Sequence, residues 1–202
     1  MTKIKKNYTL IELLVVIAII AVLAGLLFPT IGLVRARAAD TRGVSECNAI
    51  ATALRQYKMA YYKFPVSLTA PVGGDAAAPA TSASSLGDYD KIMFALTGIL
   101  PGGGADNSEF VKLNRKKTAF LDATPEYMKD GGFYANQWGR RFYIYYGNDR
   151  PLTFNRPVNG ATGETEIKVG SDVAVYSEMK PGTTQFTQGK RLYTSWGGVQ
   201  EF

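Results

Sequence analysis

Histidine is absent from all 202 residues. That removes the commonest general base and the commonest transition-metal ligand. A single cysteine, Cys47, excludes an intrachain disulfide and a multi-cysteine zinc site. The chain has no Gly-rich phosphate loop and no nucleophile elbow. Carboxylate pairs such as Asp88/Asp90 and Glu164/Glu166 fall in stretches that read as solvated loops. No enzyme is expected from this inventory. Clustered charge is lacking too. The formal charge is +6, of which Lys3, Lys5 and Lys6 supply three, and the rest is scattered. A nucleic-acid-binding face is therefore not expected.

What the chain does have is one long hydrocarbon run. Residues 8–29 read YTLIELLVVIAIIAVLAGLLFP, and Leu13 to Phe28 carries no charged or strongly polar side chain. As a helix the run is about 31 Å long, enough to cross a bilayer. The preceding lysines are expected to stay in the cytoplasm, with the remainder facing outward. Three readings fit such a run. A secretory signal accounts for the basic start, and Val22-Leu23-Ala24 is an acceptable cleavage site. A plain membrane anchor accounts for the hydrophobicity, with Glu12 favoured near a helix start by the helix dipole. The third reading gives Glu12 a partner, as ionisable groups in membrane segments usually have one. If the chain is cut before Tyr8, the new α-amino group is a cation one helical turn from Glu12. Staggered copies of the helix could then pair amine and carboxylate across subunits in low dielectric.

Tyr8-Thr9-Leu10-Ile11-Glu12, the apolar run and Pro29 together resemble the N-terminal segment of type IV pilins and of type II secretion pseudopilins. The resemblance implies that a prepilin peptidase cuts between Asn7 and Tyr8 and methylates the new N-terminus at Tyr8. It makes Glu12 and Pro29 the assembly residues, Pro29 as a bend in the helix. The family has Gly before the cut where this chain has Asn7, and usually Phe where it has Tyr8. The resemblance also implies a helical homopolymer of this chain as the principal partner. The others are the peptidase, the inner-membrane assembly machinery, minor pseudopilins and membrane lipid.

Beyond Pro29, the residues Val44, Cys47, Ile50 or Ala51, Leu54, Tyr57 and Tyr61 recur at spacings of three and four, one face of a helix. Arg35, Arg37, Asp40 and Arg42 make the stretch before it polar. The helix should stop before Pro65. Running from Thr9 to about Tyr62, it would be roughly 80 Å long, too long for one small domain to cover. Its stripe from Val44 to Tyr61 is expected in the core, with Cys47 as a small buried apolar residue. ALRQYKMAYYKFP is similar to the helix end that precedes the pseudopilin head.

The remainder is expected to fold as a loop-rich connector, 65–132, and a small antiparallel head, 133–202. Residues 66–88 are rich in Ala, Ser, Gly and Pro and read as linker. DYDKIMFALTGI reads as a short amphipathic helix with Asp88 as N-cap and Gly98 as stop. Asn114 to Thr118 reads as a solvated basic loop, and Thr124-Pro125 as a helical turn. Strands are expected from near Phe133, at Arg141–Tyr146, TEIKVG, SDVAVYSEM and KRLYTSW. Turns are expected at Trp138-Gly139, Asn159-Gly160 and Pro181-Gly182. Tyr143, Tyr145, Tyr146 and Trp138 read as sheet packing and subunit contact rather than a sugar platform.

NQWGRRFYIYY, DVAVYSEMKPG and TSWGG resemble segments of the major pseudopilin, with Asn136-Gln137 standing for Asp-Pro. In that family the C-terminal loop binds calcium. The matching loop offers Glu178 and, further off, Asp172, against the six to eight oxygens calcium takes. No cofactor or metal ligand is assigned, and calcium stays an open alternative.

The expected fold is thus α+β and pilin-like. It comprises a leader, 1–7, a transmembrane and assembly helix, 8–29, its periplasmic continuation, 30–64, and a sheet head. The expected function is a structural subunit of a secretion pseudopilus or pilus-like filament. It would be anchored once in a bacterial inner membrane with its head in the periplasm, and its filament would span the periplasm or reach the surface. The alternative is a membrane-anchored periplasmic binding module that does not polymerise.

Overall fold

A computed structural model describes residues 9–73, 87–99, 108–122, 134–148, 150–156, 165–178 and 191–201. Helix α1 spans Leu10–Tyr61, α2 spans Asp88–Thr97 and α3 spans Ser108–Leu113. Six strands follow: β1 (Tyr143–Tyr146), β2 (Leu152–Arg156), β3 (Thr165–Val169), β4 (Val173–Glu178), β5 (Arg191–Thr194) and β6 (Gly198–Glu201). The architecture is α+β. The chain divides into two compact units, the first ending at Thr41 and the second beginning at Arg42.

The described part of the first unit is helix, with its large apolar side chains from Leu10 to Phe28 exposed. It has no core of its own, because its apolar residues point all round rather than along a stripe.

The second unit is layered. Strands β1, β4, β5 and β6 form a four-stranded antiparallel sheet in the order β1-β4-β5-β6, and β2 and β3 form a separate antiparallel pair. Alternation sends successive side chains to opposite faces. Ile144, Tyr146, Val173, Val175 and Tyr193 join a core with Cys47, Ile50, Leu54 and Tyr57 of α1 and Ile92 and Leu96 of α2. Tyr143, Ala174, Tyr176 and Leu192 join a second core with Leu152, Phe154, Ile167 and Val169 of the β2–β3 pair. The sheet is therefore covered on both faces, which is why YIYY and VAVY run apolar without the polar alternation of a half-exposed strand. Rings fill the second core: Tyr143 stacks on Tyr176 with centroids 4.6 Å apart, and Trp196 meets Tyr176 edge-on at 6.1 Å.

At Gly43, α1 comes close to the Tyr193 ring of β5. A Cβ there would lie 2.3 Å from the Tyr193 ring, so the position admits only Gly without rearrangement. Four residues on, the buried Cys47 thiol donates to the Tyr193 carbonyl at 3.5 Å.

The C-terminus of α1 is tied down by the basic loop after α3. Helix α1 ends at Tyr61, and Tyr62 turns left-handed with φ 57° and is almost wholly exposed. The Lys116 ammonium donates to the Ala60 carbonyl at 2.9 Å, a cation on the last turn where the helix dipole favours one. Buried Asn114 accepts from the Tyr61 hydroxyl and from the Thr118 N–H, and donates to the Ala95 and Thr118 carbonyls. The loop expected to be simply solvated is instead a clamp between α1 and α2, although Arg115, Lys116 and Lys117 do face solvent.

Other expectations change in detail. Gly87, not Asp88, is the N-cap of α2, and it caps with extended backbone and no side-chain bond. Asp88 sits in the first turn, 3.8 Å from Lys91. Gly98 stops the helix as expected, with φ 74° and its N–H bonded to the Phe94 carbonyl. The strand expected from Arg141 begins at Tyr143, and the described part of the head has two sheets rather than one. The expected turns at Asn159-Gly160 and Pro181-Gly182 and the helical turn at Thr124-Pro125 lie outside the described residues.

Candidate functional site

The first turn of α1 is built by its own sequence. Thr9 precedes the helix, and its hydroxyl accepts from the Glu12 N–H at 3.3 Å. In return Glu12 Oε2 accepts from the Thr9 backbone N–H at 2.8 Å and from the Thr9 hydroxyl at 2.9 Å. This reciprocal arrangement is a capping box, in which residues three apart satisfy two of the helix's orphan N–H groups. Glu12 also supplies negative charge where the helix dipole is positive.

Thr9 was not singled out in the sequence, yet the Thr-x-x-Glu spacing ahead of an apolar run is a readable signal. Asn7 and Tyr8, the expected processing and methylation positions, lie outside the described residues.

From this start, Leu10–Phe28 forms 19 residues of mean hydropathy 3.0 with no part buried. It is the one helix among the described residues long and apolar enough to cross a membrane. At 1.5 Å per residue it covers about 28 Å, close to a hydrocarbon core. Pro29 lies within α1, which is assigned without a break through it. Proline removes one N–H, so the carbonyl four residues earlier, that of Gly25, loses its helical donor there.

The same helix thus presents a carboxylate at its first turn and a proline after its apolar length. Chemically the segment can partition into lipid or pack against other apolar helices. Glu12, held at the edge of that surface, can offer a charge to whatever stands beside it.

In the head, the two carboxylates weighed for calcium stand at opposite ends of β4 and each faces cations. Asp172 lies 3.5 Å from Arg55, 3.2 Å from Lys58 and 3.5 Å from Arg150. Burial pushes its carboxyl up, but the Lys58 hydrogen bond and the charges of Lys58 and Arg150 outweigh this and hold it below the usual range. Glu178 accepts from Arg140 at 2.7 Å and from the Tyr143 hydroxyl at 3.2 Å. Among the described residues no group of three or more His, Cys, Asp or Glu side chains converges.

Asn136, where the resemblance noted Asp, organises the turn at Trp138-Gly139. Its Oδ1 accepts from the N–H groups of Trp138 and Arg140, both at 2.9 Å, and its Nδ2 donates to Ser177 at 2.6 Å. The aromatic residues expected in sheet packing are mostly internal: Tyr143 and Tyr146 are buried, Tyr145 and Trp138 half-buried.

No protein-family model matches the chain, and no curated protein or solved structure matches it.

Proposed function

We propose that the chain is a pilin-like structural subunit. In this reading a prepilin peptidase cuts it at Asn7-Tyr8 and methylates it at Tyr8. The head stays in the periplasm while the apolar helix waits in the inner membrane. That helix then packs against copies of itself in a secretion pseudopilus or related filament. The role is architectural, and no catalysis is proposed. One observation carries the reading: a fully exposed apolar span opens with a carboxylate and belongs to the same 52-residue helix that supplies the core stripe of an α+β head. An anchor needs only the span. A register device needs a charge at a fixed place on it.

The second reading, a membrane-anchored binding module, is favoured by the capping box. Thr9 already gives Glu12 a local reason to exist.

One substitution separates the two. Gln serves a capping box as Glu does, but carries no charge. Under the filament reading, Glu12→Gln inserts normally yet assembles as poorly as Glu12→Ala. Filaments of Glu12→Gln at the wild-type level, seen by electron microscopy of sheared cells, leave the capping role alone standing. Mass spectrometry of the mature N-terminus adds an independent check. A methylated start at Tyr8 is expected. A start at Gly25 points to an exported soluble protein, and an intact Met1 to a plain anchor.

A further inference from the structure

The second unit holds a cleft of about 720 Å³, within the range ligand sites occupy (about 300–1,000 Å³). One wall comes from the end of α1 and the chain after it, including Lys58, Tyr62 and Lys63. The other comes from β1 and the residues following it, including Tyr145, Tyr146 and Asn148. Among the described residues no Asp or Glu lines it.

β1 is an edge strand of the four-stranded sheet. On its outer edge Ile144 exchanges two main-chain bonds with Val72, at 2.8 and 3.0 Å. The pairing stops there, because Val72–Ile144 is an isolated bridge. Strand alternation turns the N–H and C=O of Tyr146 to the same outer edge as those of Ile144. Antiparallel continuation from the bridge would set Ala70 opposite Tyr146, but no bridge forms there. Among the described residues the edge of β1 is thus open for one further step, and that step lies in the cleft.

The charge around this edge is lopsided. Among the described residues three cations, Arg55, Lys58 and Arg150, share the carboxylate of Asp172. Lys58 also sits 4.4 Å over the Phe64 ring, which fixes its ammonium at the cleft wall. Lys63 adds a further, exposed cation.

We propose that this cleft takes an extended acidic peptide segment of a partner protein. The segment pairs its backbone with the free edge of β1 at Tyr146 and sets carboxylates against Lys58 and Lys63. Such strand addition draws affinity from main-chain bonds and selectivity from alternate side chains. An acidic oligosaccharide would meet the lysines equally well but has no use for a strand edge. The edge is what favours the peptide. The inference stands whether or not α1 polymerises.

The test uses the full chain, monomeric in detergent micelles, and a fluorescein-labelled six-residue peptide alternating glutamate and valine. Fluorescence anisotropy should show saturable binding that weakens with salt. Lys63→Glu, at an exposed position, should weaken binding about tenfold while the melting temperature stays unchanged. The same peptide with alternate backbone nitrogens methylated should not bind, since it keeps the charge but cannot add a strand. Three results would overturn the proposal. The methylated peptide could bind as well as the parent. Trigalacturonate could bind where the peptide does not. Or the parent peptide could show no saturation up to millimolar concentration.

Discussion

Gly43→Ala sets two opposing effects against each other at one position, and the structure decides which wins. Replacing a glycine inside a helix by alanine stabilises by about 1 kcal/mol when nothing else changes. At Gly43 something else must change. The new Cβ would stand 2.3 Å from Tyr193 Cδ2 and 2.6 Å from Cγ and Cε2. Carbon atoms rest comfortably at about 3.5–4.0 Å, so the ring has to retreat by more than 1 Å or the helix has to lift. Neither is easy. Tyr193 is 2% exposed, and its backbone is paired on both sides, to Ser177 in β4 and Val199 in β6. Overpacking of this kind costs about 1–3 kcal/mol. The net expectation is a loss of up to about 2 kcal/mol, lowering the melting temperature by up to about 8 °C for a unit of this size. Thermal unfolding of the full chain in detergent, followed by near-ultraviolet circular dichroism, measures it. Gly32→Ala is the internal control, because a Cβ there meets nothing within 4 Å. It should leave the melting temperature level or raise it. A Gly43→Ala protein that melts higher than wild type would refute the close approach of α1 to β5.

Three further outcomes follow from the head. Asn136→Ala removes two accepted bonds and one donated bond at a buried position, and should cost about 2 kcal/mol in urea denaturation. A change under half of that would mean the turn holds itself. Asp172 has its folded carboxyl held below the ordinary range, so it contributes stability above the unfolded pKa of about 3.9 and loses it as pH falls through the folded value. Asp172→Asn should therefore lower stability at pH 7 by about 1 kcal/mol, since its cations are partly screened, and flatten the acid limb of the pH profile. An unchanged acid limb would remove the assignment. Burial pushes the Cys47 thiol well up, helped by the neighbouring Glu46 charge. At pH 8 iodoacetamide should leave Cys47 of the folded chain unmodified and label it after urea unfolding; rapid native labelling would contradict the core position.

Much of this arrangement was legible from spacing alone. The stripe Cys47, Ile50, Leu54, Tyr57 lies in the core with Val44 packed against it, as 3.6-residue periodicity sustained over about four turns indicates. The strands at Tyr143, Thr165, Val173 and Arg191 were visible as short β-branched and aromatic runs. β2 gives only a weak signal, because Leu152 and Phe154 flank an exposed Thr153 in an alternation of only a few residues. β6 begins with a glycine at φ 72° and carries Gln200 and Glu201, and sheet pairing rather than propensity makes it a strand. α3 is six residues, too short for periodicity to register. At the site, the apolar run and Glu12 stood out by composition. The role of Thr9 did not, because a threonine beside an apolar run looks ordinary until its bond to the residue three ahead is drawn. The loop at Asn114 misled for the opposite reason. Its lysines announce solvent, while the residue that matters is a neutral amide whose four bonds are all long-range or turn-forming.

The close seat of α1 on Tyr193 has a practical corollary for anyone cutting the protein. The helix from Gly43 onward is building material for the head, whereas the stretch before it is not. A protease nibbling from the amino end should pass quickly over the greasy turns once detergent is removed. It should then stall near Arg42, where further trimming would pull a wall out of the folded part. A fragment that starts there should fold as the head does, and one starting at Pro65 should not.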